Sequence, residues 1–235
     1  MLKVHVFGPK FGMPDASPFC MKALVLLKMS GLPFEVDSKG FGKSPKGKQP
    51  YLNDNGQLIA DSSFIRWHLE DKHGIQFDTG LSAAERGTAW AFEKLCEDNL
   101  YFIVMRTRWM DDRNFEAGPR HYVDDAPAPL RPLIAMLVRG KVRKALQMQG
   151  MGRHTEPEMM RIAQTGIDAI AAQLGDKPRL MGQEPCSADA MVFSSITSLL
   201  SPHFVSALRE ATSRHANLVA YSARGLQRWF PEMAG

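Results

Sequence analysis

The chain changes its pattern of hydrophobic and polar positions near residue 75. Before that point, short alternating segments at 3–7 and 34–36 are typical of β-strands, and a segment with helical spacing lies between them. Ser17 followed by a proline marks the start of this helix, and Gly31 marks its end. Apolar side chains share one face of the helix: Phe19, Ala23, Leu26 and Leu27. These segments together predict a βαβ unit.

A hairpin and a second helix follow a polar connection at 37–49. Apolar runs at 50–52 and 57–59 enclose Asn55-Gly56, which is a strong signal for a tight β-turn. A helix over 64–73 comes next and is ended by a glycine. The order of strands and helices predicts a first domain of the α/β class, covering residues 1–75.

Beyond residue 82 the spacing is almost entirely helical. Capping boxes at 82–85 and 155–158 begin two of the helices. The predicted helices cover 83–111, 133–149, 156–174, 186–200 and a last segment from 217 to Pro231. Four prolines predict a loop over 117–132. The second domain, residues 82–235, is therefore expected to be all-α.

Composition excludes several classes of protein. No apolar run approaches the roughly 20 residues of a membrane helix, and the first residues lack the apolar core of a secretory signal. Three widely spaced cysteines argue against a disulfide framework and favour a cytoplasmic protein. The net charge of +4 is mild, and no nucleic-acid-binding module is present. We interpret the basic clusters at 39–48 and 139–144 as solvated surface, with an anionic ligand as the alternative.

The histidines and the glycines carry no recognisable catalytic motif. The seven histidines show no H-E-x-x-H pattern and no cysteine–histidine spacing, so the sequence predicts no metal site. There is also no glycine-rich phosphate loop. The chemistry is therefore sought in the turns of the α/β domain.

Short motifs at the corners of the α/β domain resemble those of glutathione transferases. S-P-F-C at 17–20 is similar to the S-P-F/Y-C pattern of many transferases, and to the C-P-Y-C of glutaredoxins with its first cysteine replaced. K-Q-P-Y-L at 48–52 resembles the family's K-x-P-x-L segment, and D-S-S at 61–63 resembles its acidic–serine pair. Downstream, 180–189 and 217–231 are similar to the family's helical-domain signature and closing helix. The resemblance therefore implies a thioredoxin-like domain followed by a helical-bundle domain. The residues of these motifs are most similar to those of the branch that contains failed axon connections proteins and metaxins.

The resemblance implies glutathione as co-substrate and assigns roles to residues. Ser17 would hold the glutathione sulfur as a thiolate. A pKa drop of ~2 units needs ~2.7 kcal/mol, and one hydrogen bond to a charged group supplies roughly 1.5–3 kcal/mol. A cis-proline at Pro50 would let the backbone of Gln49 pair with the peptide. Asp61 and Ser62, at a helix N-terminus, suit the γ-glutamyl end. Lys48 would meet the glycyl carboxylate.

The second substrate would be a small electrophile held by the first helix of the helical domain. Tyr101, Met105, Arg106 and Trp109 fall at helical spacing and form the candidate pocket, although a core stripe with surface arginines has the same pattern. The resemblance also implies a homodimer.

Two other functions remain open at this stage. Cys20, one turn into the first helix, could serve a glutathione-dependent reductase or lyase, but a serine at the attacking position 17 favours a buried structural role. A metaxin-like binding module without catalysis is the other alternative. The end of the chain at 233–235 offers no membrane anchor, which disfavours a part in mitochondrial import. One departure from the family pattern is Cys186, where the family has a capping threonine, so that Asp189 or Ser187 is expected to cap this helix.

Overall fold

The computed structural model describes residues 1–39, 43–124 and 126–233. Positions 40–42 of the predicted polar connection, position 125 of the predicted loop and the last two residues lie outside the described residues. The strands and helices of the first part are β1 (Leu2–His5), α1 (Pro18–Ser30), β2 (Phe34–Asp37), β3 (Tyr51–Asp54), β4 (Gln57–Ala60) and α2 (Ser62–His73). This is the predicted order of elements, with boundaries shifted by one or two residues.

The strands form one mixed sheet in the order β2-β1-β3-β4. β1 pairs with β2 in parallel, with Val4 opposite Val36, as the predicted βαβ unit requires. β1 and β3 are antiparallel, and so are β3 and β4. The Asn55-Gly56 turn has φ angles of 52° and 96°, the left-handed pair that matches the twist of a two-residue hairpin. The thioredoxin-like arrangement is confirmed.

The rest of the described chain is helical. Its α-helices are α3 (Ala83–Lys94), α4 (Tyr101–Met110), α5 (Asp112–Ala117), α6 (Arg131–Gln149), α7 (Glu156–Leu174), α8 (Ser187–Leu200), α9 (Ala207–Ser213) and α10 (Ala216–Trp229). Both predicted capping boxes are present, at Ser82 with Glu85 and at Thr155 with Glu158. The long helix predicted over 83–111 is divided by a π-helical segment, Leu95–Leu100. In the part that the structure describes, no helix is long and apolar enough to cross a membrane.

The prediction of a plain loop over 117–132 was wrong for most of its described residues. α5 ends at Ala117, and the chain then forms two short 3-10 helices, Pro119–Val123 and Ala128–Leu130, before α6 begins at Arg131. In three of these elements a proline stands in the first turn, where its missing N–H costs no hydrogen bond. Prolines therefore begin helices here, where we expected them to prevent helices.

α1 is shared between the sheet and the helical part. Most of its residues are buried, including Cys20, Leu26 and Leu27 at 0 % exposure, and they belong to one hydrophobic core with Val4 of β1 and Phe193 of α8. One side of α1 therefore covers the sheet while the other packs on α8. The α/β part and the helical part consequently have a common core.

The cap of α8 agrees with one of the two alternatives expected from the sequence, the one in which Asp189 acts. Cys186 itself occupies the N-cap position, and the Asp189 carboxylate accepts its N–H at 2.9 Å. The same carboxylate accepts the N–H of Leu180 at 2.9 Å and the hydroxyl of Tyr221 at 2.6 Å. Ser187 does not cap the helix, because its N–H and its hydroxyl both bind Asp78. Asp189 thus joins the preceding loop, α8 and α10.

Candidate active site

Ser17 lies at the N-terminus of α1, where we expected it. Its backbone is extended (φ −108°, ψ 126°), and Pro18 begins the helix. The Ser17 hydroxyl makes no capping hydrogen bond to the first turn, so it is not the simple N-cap that the local sequence allows. The first turn of α1 contains no acidic residue, so its free N–H groups favour an anion beside Ser17.

Asp15 holds the loop that presents Ser17, and the sequence analysis missed it. Its carboxylate accepts the N–H of Gly8 at 2.6 Å and the N–H of Ser17 at 2.8 Å. The side chain is fully buried, and this burial raises the pKa of the Asp15 carboxyl to about 7 even though its hydrogen bonds oppose the rise. An aspartate two residues before a serine is the signal for such an Asx turn, and it could have identified this residue.

Cys20 is buried in the protein core. Its exposure is 0 %, and burial raises the pKa of its thiol well above the usual value, with the nearby Asp15 charge adding to the rise. The neighbouring Ser17 side chain lowers the pKa of this thiol, but by less than burial raises it. A thiol in this environment is a poor nucleophile, because the thiolate is the reactive form. The geometry therefore favours the structural interpretation of Cys20.

The Gln49–Pro50 peptide bond is cis, which confirms the expectation for Pro50. The carbonyl oxygen of Pro50 accepts the N–H of Asp61 at 3.2 Å, so this turn and the start of α2 are joined. The side chain of Gln49 is buried at 5 % exposure. Among the described residues its amide finds no hydrogen-bond partner.

The N-terminus of α2 is the second helix start at this corner. Asp61 has a φ angle of 89°, which is rare for a residue other than glycine, and strained backbone of this kind is often found at functional sites. Its carboxylate caps α2 by accepting the N–H of Ser63 at 3.1 Å. The ammonium of Lys48 lies 3.4 Å from the other carboxylate oxygen. Ser62 is 1 % exposed, and within the described ranges its hydroxyl has no partner.

A buried lysine connects α1 with this corner. The ammonium of Lys22 donates to the Ser63 hydroxyl at 3.1 Å, and to Glu93 and Glu97 at 3.0 and 2.7 Å. Lys22 is 0 % exposed. Glu93 lies on α3, and Glu97 lies four residues later in the π-helical segment. The helix that carries Ser17, the start of α2 and the helical part are therefore held by one charged group.

The four residues of the predicted electrophile pocket point in different directions. The ring of Tyr101 meets the ring of Phe19 edge-on at 4.7 Å, and burial raises the pKa of its hydroxyl to about 12. Trp109 stacks on Tyr122 with ring centroids 6.1 Å apart. Arg106 donates to the sulfur of Met159 on α7, and Met105 is half-buried. Tyr101 thus lies beside α1, while Arg106 is directed to another helix.

Arg108 lies beside the Ser17 loop and was not among the predicted residues. It is 7 % exposed and donates to the carbonyl oxygen of Ala16 at 3.3 Å and to the hydroxyl of Ser198 at 2.7 Å. In the part of the chain that the structure describes, no carboxylate pairs with it, and burial lowers its pKa to about 10. The spacing 101, 105, 108 places Arg108 on the face of Tyr101, whereas 106 lies on another face. That periodicity was the signal that could have found it.

Comparison with known proteins agrees with the fold. The sequence profile described as "Glutathione S-transferase N-terminal domain" matches residues 18–114, and that described as "Glutathione S-transferase, C-terminal domain" matches 163–224. In overall fold the chain resembles the beta-etherase LigF from Sphingobium sp. strain SYK-6, with a TM-score of 0.65 and 21 % identity over 99 % of this chain and 98 % of that one.

Curated relatives fall into two groups. The isoprene-epoxide–glutathione S-transferase of Rhodococcus sp. (strain AD45) is 31 % identical over 203 residues, which are 83 % of this chain and 85 % of that protein. Failed axon connections of Drosophila melanogaster is 28 % identical over 94 % of this chain, which spans 56 % of that protein. Metaxin-1 of Macaca fascicularis is 28 % identical over 98 % of this chain and 75 % of its own length. With both domain profiles matched and a transferase relative similar over most of its length, the chain belongs to the glutathione S-transferase family.

Proposed function

We propose that this protein conjugates the thiolate of glutathione to a small electrophile. The observation that carries the proposal is the first turn of α2, where the buried Ser62 hydroxyl lacks a partner among the described residues. Next to it, the Asp61 carboxylate has an ammonium group, that of Lys48, beside it. A γ-glutamyl group offers both complements, a carboxylate for the helix start and an ammonium for Asp61. Lys48 would then turn to the glycyl carboxylate and the backbone of Gln49 to the peptide.

Ser17 would supply the chemical step. Its hydroxyl makes no capping bond to α1 and would donate to the glutathione sulfur at the N-terminus of this helix. The stabilised thiolate attacks carbon, so that a carbon–sulfur bond forms and the bond to the leaving group breaks. With an epoxide, the opened ring leaves an alkoxide that takes a proton from water. Tyr101 beside α1, together with Met105, Arg106 and Trp109, is proposed to form the wall for the electrophile.

The similarity to metaxin-1 and to failed axon connections supports a second candidate, a binding module of this fold that does not catalyse conjugation. A reductase or lyase acting through Cys20 is disfavoured by the burial of that thiol.

All three cysteines are unpaired, which supports a reducing compartment such as the cytoplasm. Fractionation of the source cells that finds the protein elsewhere would contradict this assignment.

Calorimetry with glutathione and a conjugation assay with a small epoxide test the proposed function together. We expect saturable binding of glutathione at millimolar ligand or below, and formation of a thioether product. Ser62→Ala should weaken glutathione binding about tenfold, because it removes one hydrogen bond to a charged group. Ser30→Ala is the matched control. Ser30 lies at the C-terminal end of α1, away from the proposed site, so this variant should bind glutathione like the wild type. Binding without any conjugation would contradict the proposed transferase activity, and no binding of glutathione at millimolar ligand would favour the non-catalytic candidate.

An exposed aromatic patch supports the proposal of a homodimer. Phe64, Trp67 and Trp90 are 50 %, 39 % and 41 % exposed, and they contact one another across α2 and α3. Lys46 and Lys94 flank the patch with their ammonium groups over Phe64 and Trp90. A twofold axis through such a patch would bury the same surface on both subunits.

Light scattering tests the dimer. We expect a dimeric mass for the wild-type protein and a monomeric mass for Trp67→Glu, because the change removes the ring that contacts both other aromatics of the patch and puts a charge in the interface. Leu133→Glu on α6 is the control, since Leu133 is 50 % exposed and lies outside the patch. A dimer that survives Trp67→Glu and dissociates in Leu133→Glu would assign the interface to α6.

A further inference from the structure

Three side chains of types that can bind a metal ion meet at the C-terminal end of β3, the end opposite the cis-proline. Asp54 is the last residue of β3, and His68 and His73 lie in the second half of α2. The Nε2 atoms of His68 and His73 lie 2.8 and 2.9 Å from the same oxygen, Oδ2 of Asp54. All three ligand atoms lie within 4.8 Å of one another. The sequence could not show this cluster, because the hairpin turn separates Asp54 from both histidines.

The cluster is enclosed but retains access to solvent. Asp54 is 1 % exposed, and the side chains of His68 and His73 are 9 % and 23 % exposed. The other Asp54 oxygen, Oδ1, accepts the side-chain amide of Asn55 at 2.9 Å, which orients the carboxylate toward the histidines. A metal ion would therefore meet preplaced ligands on one side and water on the other.

The distances suit a first-row divalent ion after small shifts. Zn²⁺ binds imidazole nitrogen and carboxylate oxygen at about 2.0–2.2 Å, which for tetrahedral geometry places ligand atoms about 3.4 Å apart. Each Nε2 atom would need to lie about half an ångström farther from Asp54 Oδ2, and the two nitrogens, which are no more than 4.8 Å apart, would need to end about 3.4 Å apart. Two imidazoles and one carboxylate leave the fourth position to water, and such nitrogen-rich sets suit Zn²⁺ better than Ca²⁺ or Mg²⁺.

We propose that Asp54, His68 and His73 form a zinc-binding site that ties the β3–β4 hairpin to the C-terminal end of α2. The site is separate from the proposed glutathione site, which lies at the N-terminus of the same helix. Its failure would leave the proposed function untouched.

Lys72 would compete with a metal ion for Asp54. Its ammonium lies 2.9 Å from the same Asp54 oxygen, and its side chain is 45 % exposed. The three groups on this oxygen exceed the usual two acceptor positions of a carboxylate oxygen, so one donor is readily displaced. Because Lys72 is the most exposed of the three, it can turn into water when Zn²⁺ binds.

Zinc titration of tag-free protein, without glutathione, tests the proposal. With a competing chromogenic chelator, we expect one Zn²⁺ per chain with a dissociation constant of about 1 µM or tighter. His68→Ala and His73→Ala should each weaken binding about tenfold or more, since each removes a ligand. Lys72→Met should tighten binding, because it removes a competing cation without touching a ligand. Zn²⁺ should also raise the melting temperature of the wild-type protein.

A matched control comes from another histidine–aspartate pair. His215 lies 2.8 Å from Asp168, and His215→Ala should leave zinc binding unchanged. If the double variant His68→Ala/His73→Ala folds and binds Zn²⁺ like the wild type, the proposal is overturned. If the histidine variants do not fold, Lys72→Met decides: absence of zinc binding in both this variant and the wild-type protein at about 100 µM metal overturns the site.

Discussion

Replacing Ser17 by alanine should lower kcat/KM for conjugation about 10- to 150-fold, while glutathione binding changes much less. The reason is that one hydrogen bond to a charged group is worth roughly 1.5–3 kcal/mol, and this one would be made to the thiolate and not to the neutral thiol. Because the hydroxyl does not cap α1, its loss should leave the melting temperature nearly unchanged. Ultraviolet absorbance of bound glutathione should show a raised thiol pKa in the variant.

Two further variants separate the possible mechanisms. Ser17→Thr retains a hydroxyl and should recover most of the activity. Cys20→Ala should lose some stability, because Cys20 packs in the core, but it should keep its conjugation rate. Full activity in Ser17→Ala together with none in Cys20→Ala would contradict the proposal and assign the chemistry to the cysteine.

Lys22→Met should destabilise the protein by about 3–5 kcal/mol, the usual cost of breaking a buried ion pair on one side. Lys22 is 0 % exposed, and its removal leaves the Glu93 and Glu97 carboxylates in the core without their shared cation. Arg66 and Lys94 lie within reach of the same glutamates and can compensate only in part. Urea unfolding followed by circular dichroism measures the change.

The controls for Lys22 separate charge from packing. Lys3→Met removes an exposed lysine from its pair with Glu35 and should change stability little. Adding Glu93→Gln and Glu97→Gln to Lys22→Met should recover much of the loss, because neutral amides tolerate burial better than carboxylates. If the triple variant is no more stable than Lys22→Met alone, lost packing and not unpaired charge accounts for the effect.

Several local signals in the sequence predicted the structure correctly. Gly31 ends α1 with a φ of 68°, Asn55-Gly56 makes the hairpin turn, and Ser82 with Glu85 begins α3. Each of these depends on the backbone preferences of a few consecutive residues, so the pattern and the structure agree. Pro50 belongs with them, because its cis peptide bond was expected from a short motif.

Several features that the sequence did not show depend on contacts between distant residues. Lys22 meets Glu93 71 positions later, and Arg108 meets the carbonyl group of Ala16 92 positions earlier. The same is true of Asp54 and His73, which only the folded hairpin brings together. A charged residue in a helical segment has the same pattern whether it faces water or a buried partner, so the pattern could not identify Lys22. For Arg108, its helical spacing from Tyr101 was the one available signal. The roles of Ser17, Asp61 and Ser62 in binding remain predictions.

The position of α1 between the sheet and α8 determines whether the α/β part can be stable as a separate fragment. A fragment ending near residue 75 would keep every strand, yet it would expose to water the side of α1 that normally lies against α8. Such a fragment would be prone to aggregate, because a contiguous apolar face without cover associates with other apolar surfaces. The sequence pattern changes near residue 75, but the folded protein therefore cannot be divided there into two stable parts.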